Sequence, residues 1–309
     1  HLRTRRQRQM CIRDSALSTV SSTLNMNSIT EDIPDGFQDY YDKDKYAKSQ
    51  SYLKDKTRFG LFTGTFSLCI TLVIIHAGLF GLLDDFVRAY SNHYITSGLL
   101  FFGTLFILND IINLPFSIYG TFVIEEKYGF NKTTLRTFVS DKFKGYGLTI
   151  VLGSAVMVPL LYFFEAYGSN GWWIAWALIT GFMIAIQPLF VHVIAPMFNK
   201  FEPLEKGELR DSIEEFASKV DFPIGRIDVM DGSRRSAHSN AYFSGFGKSR
   251  RIALFDTLLE KHSNDEIVSV VAHEVGHYKK KHVISGTILG ILETGMMLFI
   301  FNFFTSDQA

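Results

Sequence analysis

Five long apolar runs divide this chain: approximately Phe59 to Leu83, Ile95 to Ile124, Tyr146 to Phe164, Trp172 to Val193 and Ile284 to Phe304. A helix needs roughly 20 apolar residues to cross a hydrocarbon core, and each run meets that length. Apolar residues make up 47% of the chain and include 29 Phe, and they are concentrated in these segments. Trp172, Trp173, Tyr146 and Tyr167 stand near the ends of runs, where amphipathic rings favour the membrane interface. The competing reading, a large soluble fold, would have to bury five such runs at once. The sequence therefore predicts a mainly α, polytopic transmembrane helix bundle.

Charge between the runs sets the expected orientation. Lys43, Lys45, Lys48, Lys54, Lys56 and Arg58 precede the first run, whereas the loop after it offers Arg88 beside Asp84 and Asp85. Lys127, Lys132, Arg136, Lys142 and Lys144 mark the second loop as cytosolic, and the segment from Ala166 to Gly171 carries no basic residue. The N-terminus and the long Asn199 to His282 loop are thus expected in the cytosol. Net charge is zero, with acids interleaved among the basic residues, so no nucleic-acid partner is expected. Cys11 and Cys69 are the two cysteines, too few for a disulfide framework or a thiolate metal site. Residues 1–25 are set aside as a non-native leader: His1 to Ser15 reads as translated adapter sequence, with Met26 as the candidate start.

Within the long loop, His273-Glu274-Val275-Gly276-His277 carries the chemistry. At about 100° per residue, His273 and His277 lie about 40° apart on one helical face, so both imidazoles can hold one zinc ion. Glu274 points beside that pair, where a carboxylate can take a proton from a water that the metal activates. The bland alternative is a surface helix with two solvated histidines. Against it, Val268, Val270, Val271 and Val275 give the helix an apolar side, and Ser263-Asn264-Asp265-Glu266 reads as its capped start. Extrapolated along a continuous helix, Glu293 falls about 24 Å beyond His277 and about 160° around the axis, and His282 falls about 140° from His277. Both read as seam residues rather than ligands. Asn109, Asp110, Asn113 and the Glu125-Glu126 pair are polar groups in or beside the second run, expected to face partner helices or water.

The rest of the loop reads as an α+β module. Leu209, Ile213, Phe216, Ala217 and Val220 have helical spacing within Glu205 to Val220, and Arg226 to Met230 alternates like a strand. Asn240 to Gly245 and Arg251 to Phe255 bracket Phe246-Gly247-Lys248-Ser249-Arg250, which predicts a β-hairpin just before the zinc helix. A strand edge beside the metal could hold an extended peptide by backbone hydrogen bonds, although a purely structural hairpin fits the same pattern.

With these residues in place, the chain resembles the Ste24, or CAAX prenyl protease 1, family of integral-membrane zinc endopeptidases in the M48 class. The resemblance rests on Glu125-Glu126-Lys127-Tyr128-Gly129-Phe130-Asn131-Lys132, Ile194-Ala195-Pro196-Met197-Phe198-Asn199-Lys200-Phe201, the stretch Ser239 to Phe246 running into Arg251 to Leu259, and the His273 to His277 motif. It implies a bundle of seven membrane helices around a large chamber, one zinc ion per chain, and a peptide or protein substrate. In eukaryotic members that substrate is cut after a prenylated cysteine near a C-terminus. It further implies that Asn240 and Ala241 help to bind substrate, and that the membrane is the endoplasmic reticulum or a bacterial inner membrane. The family's third ligand, a glutamate beyond a further membrane helix, has no counterpart here. The expectation is accordingly a fragment, with five of seven spans, inactive without that downstream glutamate.

The expected division is 26–197, an N-terminal membrane domain with four spans; 198–283, the cytosolic zinc-peptidase module with its hairpin; and 284–309, a fifth span. Two other functions compete. An HtpX-like membrane quality-control protease also joins zinc to membrane helices but has fewer spans. A non-catalytic membrane scaffold would have little reason to keep both histidines and the glutamate.

Overall fold

The computed structural model describes residues 2–222, 224–244 and 251–306. The chain forms two compact units, one up to Asn131 and one from Lys132 onward. Among the described residues, five helices are long and apolar enough to cross a membrane: Lys43–His76, Tyr94–Tyr128, Leu135–Tyr167, Trp172–Phe198 and His282–Phe303. They coincide with the five apolar runs, and the chain is a multi-pass membrane protein.

In the first unit, α1 (Leu2–Ser28) lies along α2 (Lys43–His76). The Asp42 carboxylate starts α2 by accepting from the backbone N–H of Lys45 at 2.8 Å. The first apolar run was expected to continue as one helix to Leu83, but α2 stops at His76. Gly78 takes a left-handed conformation, φ 67°, open to a residue without Cβ, and α3 (Leu79–Tyr90) begins there. Hydropathy does not mark this break, because the residues on both sides are apolar. After α4 (Tyr94–Tyr119) the helix widens into a π turn over Gly120–Glu125 and closes with α5 (Glu126–Tyr128). Pro115 lies inside α4 and has no N–H to donate. The acids that follow are paired: Glu125 accepts from the Tyr52 hydroxyl at 2.6 Å and Glu126 from Asn131 Nδ2 at 2.8 Å, while Asp55 of α2 accepts from Lys127 Nζ at 2.6 Å and from the Tyr128 hydroxyl at 2.7 Å. Within the second span, Asn113 Nδ2 donates to the backbone oxygen of Asn109 at 2.8 Å.

The second unit opens with α6 (Leu135–Tyr167), capped by the Thr134 hydroxyl, and returns through a 3₁₀ turn at Gly168–Gly171 into α7 (Trp172–Leu189). Near Pro188 this helix also widens into a π turn, Phe190–Ile194, before α8 (Ala195–Phe198). A four-stranded sheet follows in the order β1-β2-β4-β3, from β1 (Phe201–Pro203), β2 (Arg226–Met230), β3 (Ala241–Ser244) and β4 (Arg251–Phe255). β3 and β4 are antiparallel, with Tyr242 opposite Ala253, while β2 and β4 run parallel. The turn residues Gly245 to Arg250 lie outside the described residues. Helices α9 (Glu208–Lys219), α10 (Asp256–Lys261) and α11 (Asn264–Lys279) complete the module, and α12 (His282–Ser306) leaves it.

Ile213, Ile252, Leu254, Ile267 and Val271 are buried at the centre of this module. Asp228 on β2 is fully buried as well, which a carboxylate tolerates when it is paired. Arg226 Nε and Arg251 Nε both donate to it, and the Arg251 guanidinium also stacks 4.0 Å over the Phe201 ring. Arg235 makes a second junction. It donates twice to Asp141 at 2.7 and 2.9 Å, to the Asn199 side chain at 2.8 Å and to the backbone oxygen of Phe198 at 2.7 Å. Those bonds tie the start of α6 and the end of α8 to the sheet module.

Candidate metal centre

Local sequence builds α11 and decides which way it faces. The Ser263 hydroxyl accepts from the backbone N–H of Glu266, and the Glu266 carboxylate accepts from the Ser263 N–H at 2.8 Å, a reciprocal cap. Those bonds hold the Glu266 carboxyl below its usual range, the Ser263 backbone N–H contributing most and the hydroxyl next. Ile267, Val271 and Val275 recur every four residues and are all buried, so this face packs into the module. Tyr278 continues the anchoring: its ring lies 5.0 Å from Phe222 and 5.4 Å from Phe243 of β3. The helix is thereby docked on β3, the outermost strand of the sheet.

His273 and His277 project from the other side of α11 and are exposed. Their Nε2 atoms approach to 3.0 Å with ring planes 73° apart. Two nitrogens bound tetrahedrally to one zinc at about 2.0–2.1 Å would lie roughly 3.3 Å apart, so the pair fits a shared ion with a small outward adjustment. Among the described residues, the Glu274 carboxylate has no hydrogen-bond partner. No group of three His, Cys, Asp or Glu arranged to hold a metal occurs among the described residues. Glu293 is exposed on α12.

His282 was expected to lie about 140° around the helix from His277, and that extrapolated separation does not hold, although the residue is still not placed as a ligand. Its Nδ1 lies 2.8 Å from Nδ1 of His277. The extrapolation assumed an unbroken helix, but α11 ends at Lys279 and Lys281 takes a left-handed backbone, φ 56°. That reversal starts α12 at His282 and turns its ring back onto His277. Three lysines in a row give no sign of such a break.

Asn240 and Ala241 stand at the start of β3. The backbone oxygen of Asn240 accepts from Phe255 N–H at 3.0 Å, so Asn240 and Tyr242 face β4. By antiparallel alternation, the backbone groups of Ala241 and Phe243 point to the opposite, unpaired edge. The Asn240 carboxamide covers part of that edge, its Oδ1 accepting from Ala241 N–H at 2.9 Å. Sequence reasoning missed the residues that hold this strand. Ser239 Oγ donates to the backbone oxygen of Thr257 at 3.0 Å, and Thr257 Oγ1 donates to that of His238 at 2.9 Å. These hydroxyls sit at no recognisable spacing, so only the fold brings them together.

Comparison with known proteins agrees with this architecture. Residues 23–200 match the family model described as CAAX prenyl protease N-terminal, five membrane helices, and residues 203–308 match that of peptidase family M48. CAAX prenyl protease 1 of Saccharomyces cerevisiae is 38% identical over 285 residues, covering 89% of this chain and 62% of the yeast protein. The Homo sapiens homologue is 31% identical, covering 88% of this chain and 66% of its own length. The crystal structure of S. mikatae Ste24p superposes with a TM-score of 0.89 at 35% identity, covering 97% of this chain and 71% of that one. The chain thus spans somewhat under two thirds of the yeast relative's length. It belongs to the CAAX prenyl protease family of membrane-embedded M48 metallopeptidases.

Proposed function

We propose that the protein is an integral-membrane zinc endopeptidase that removes C-terminal residues from prenylated proteins, with its reacting groups at the cytosolic face. The observation that carries this reading is the meeting of the His273 and His277 Nε2 atoms, 3.0 Å apart, beside an unpaired Glu274 carboxylate on a helix docked against β3. His273 and His277 would hold the zinc ion. When bound, zinc supplies Lewis-acid polarisation of the scissile carbonyl and makes water more acidic. A third ligand is proposed from sequence outside these 309 residues, since catalytic zinc sites use three protein ligands.

Glu274 accepts the proton of the attacking water and passes it to the leaving amine, so one carboxylate serves as base and then as acid. The outward backbone groups of Phe243 and the outward carbonyl of Ala241 take an extended substrate as an added strand, with the Asn240 carboxamide, which holds the Ala241 N–H, beside them. Such pairing reads the backbone and not the side chains, which suits cleavage at a C-terminal tail. Basic residues flanking the spans support the cytosolic placement.

Glu274→Gln in the full-length gene product should lower kcat on a farnesylated peptide by about 10²–10⁴-fold while zinc content is kept. Turnover at the normal rate would remove Glu274 from the base role.

A further inference from the structure

His282 is the residue at this centre whose arrangement is unexplained by any role given so far. Two rings face His277 from opposite sides: His273 meets its Nε2 at 3.0 Å and His282 meets its Nδ1 at 2.8 Å. An imidazole that offers Nε2 to a metal carries its proton on Nδ1 and needs an acceptor there to keep its orientation. The described contact at Nδ1 of His277 is His282 Nδ1. With His277 Nε2 given to zinc, His282 would accept through Nδ1 and keep its own proton on Nε2. It is too far around His277 to share the ion, being turned to the nitrogen that faces away from His273.

We propose that His282 is a positioning residue for the zinc site, fixing the tautomer and ring angle of His277 by accepting its Nδ1 proton. This rests on the zinc reading above. Three features of the chain converge on it. The ring planes of His277 and His282 are 73° apart with centroids at 4.9 Å, a geometry that aligns one nitrogen with the other and does not stack the rings. The left-handed backbone at Lys281, unfavourable for a residue with a Cβ, is what brings His282 back to the motif. His282 is also the first residue of α12, so the membrane helix leaving the module is the element that carries the acceptor. The placement of that helix is thereby coupled to the orientation of a metal ligand.

The test uses the full-length protein purified in detergent, with zinc affinity measured by competition against a chelator. His282→Leu removes the acceptor while keeping bulk, and His282→Asn restores one, because Asn Oδ1 occupies the same δ position, bonded to Cγ, as His Nδ1. Loss of an outer acceptor typically weakens metal binding about 10–100-fold. The proposal predicts that loss in His282→Leu, recovery of most of it in His282→Asn, and equal metal-free melting temperatures for the two. Zinc affinity of His282→Leu equal to wild type would overturn it, and so would equal loss in the Leu and Asn variants. His273→Ala serves as the separate control: if that variant kept zinc, the zinc reading itself would fail, whatever His282 does.

Discussion

At the scale of single residues, the groups around the motif differ in how they are engaged. Glu274 has no partner among the described residues, and His277 is engaged at both ring nitrogens. The cap of α11 is a residue-scale device too. Ser263→Ala should cost about 1 kcal/mol of stability, the usual worth of an N-cap side chain, seen as a lower melting temperature in detergent. Glu266 gives that cap a pH dependence with a definite sign. Its folded pKa lies below its unfolded value, so its contribution is present above the unfolded pKa, about 4.3, and is lost as pH falls through the lower, folded one. Glu266→Gln should accordingly destabilise the protein at neutral pH, with the difference from wild type shrinking as pH drops below 4; a constant difference at all pH values would contradict it. The approach of His273 to His277 was legible in the sequence because a four-residue spacing places both rings on one helical face. His282 was not, because its position depends on a backbone reversal at Lys281 that residue type does not announce.

At the scale of elements, apolar run length located all five spans, since crossing a hydrocarbon layer imposes a length that sequence displays directly. What it hid are the interruptions. The Gly78 break and the two π turns lie where hydropathy stays high, and the parallel pairing of β2 with β4 joins segments that no local pattern links. β1 is three residues long, too short for an alternation to register. Packing between α7 and α12 shows how tightly these elements are set. Trp176 Nε1 donates to the backbone oxygen of Ile291 at 2.8 Å, and a Cβ placed on Gly295 would stand 2.9 Å from the same indole. Gly295→Ala should therefore force the two helices apart at a cost of about 1–3 kcal/mol, read as a drop in melting temperature; an unchanged melt would show that the interface gives way freely. Inside the sheet, Arg251→Ala would leave the buried Asp228 with Arg226 as its remaining described partner. Removing one partner of a buried ion pair costs roughly 3–5 kcal/mol, so this variant should fail to accumulate as folded protein.

At the scale of the molecule, α7 and α8 lead directly into the sheet module and α12 leaves it, so these helices and the candidate site belong to one compact unit. The described residues supply two imidazoles and no third ligand. The 309-residue polypeptide expressed by itself should bind zinc weakly and cut no peptide; tight stoichiometric zinc with turnover would place the third ligand within it. Under the proposed function, substrate class is a property of this scale as well, since a lipidated tail would need an apolar surface in addition to a strand edge for its backbone. Farnesylated peptide should be cleaved by the full-length protein in preference to the bare peptide, and equal rates would point to a broader membrane peptidase. Metal analysis of the purified full-length protein and its His273→Ala variant tests the two-histidine clamp. One zinc per chain is expected in the first and loss of that zinc in the second; a wild-type protein without zinc, or a variant that retains it, would contradict the clamp formed by His273 and His277.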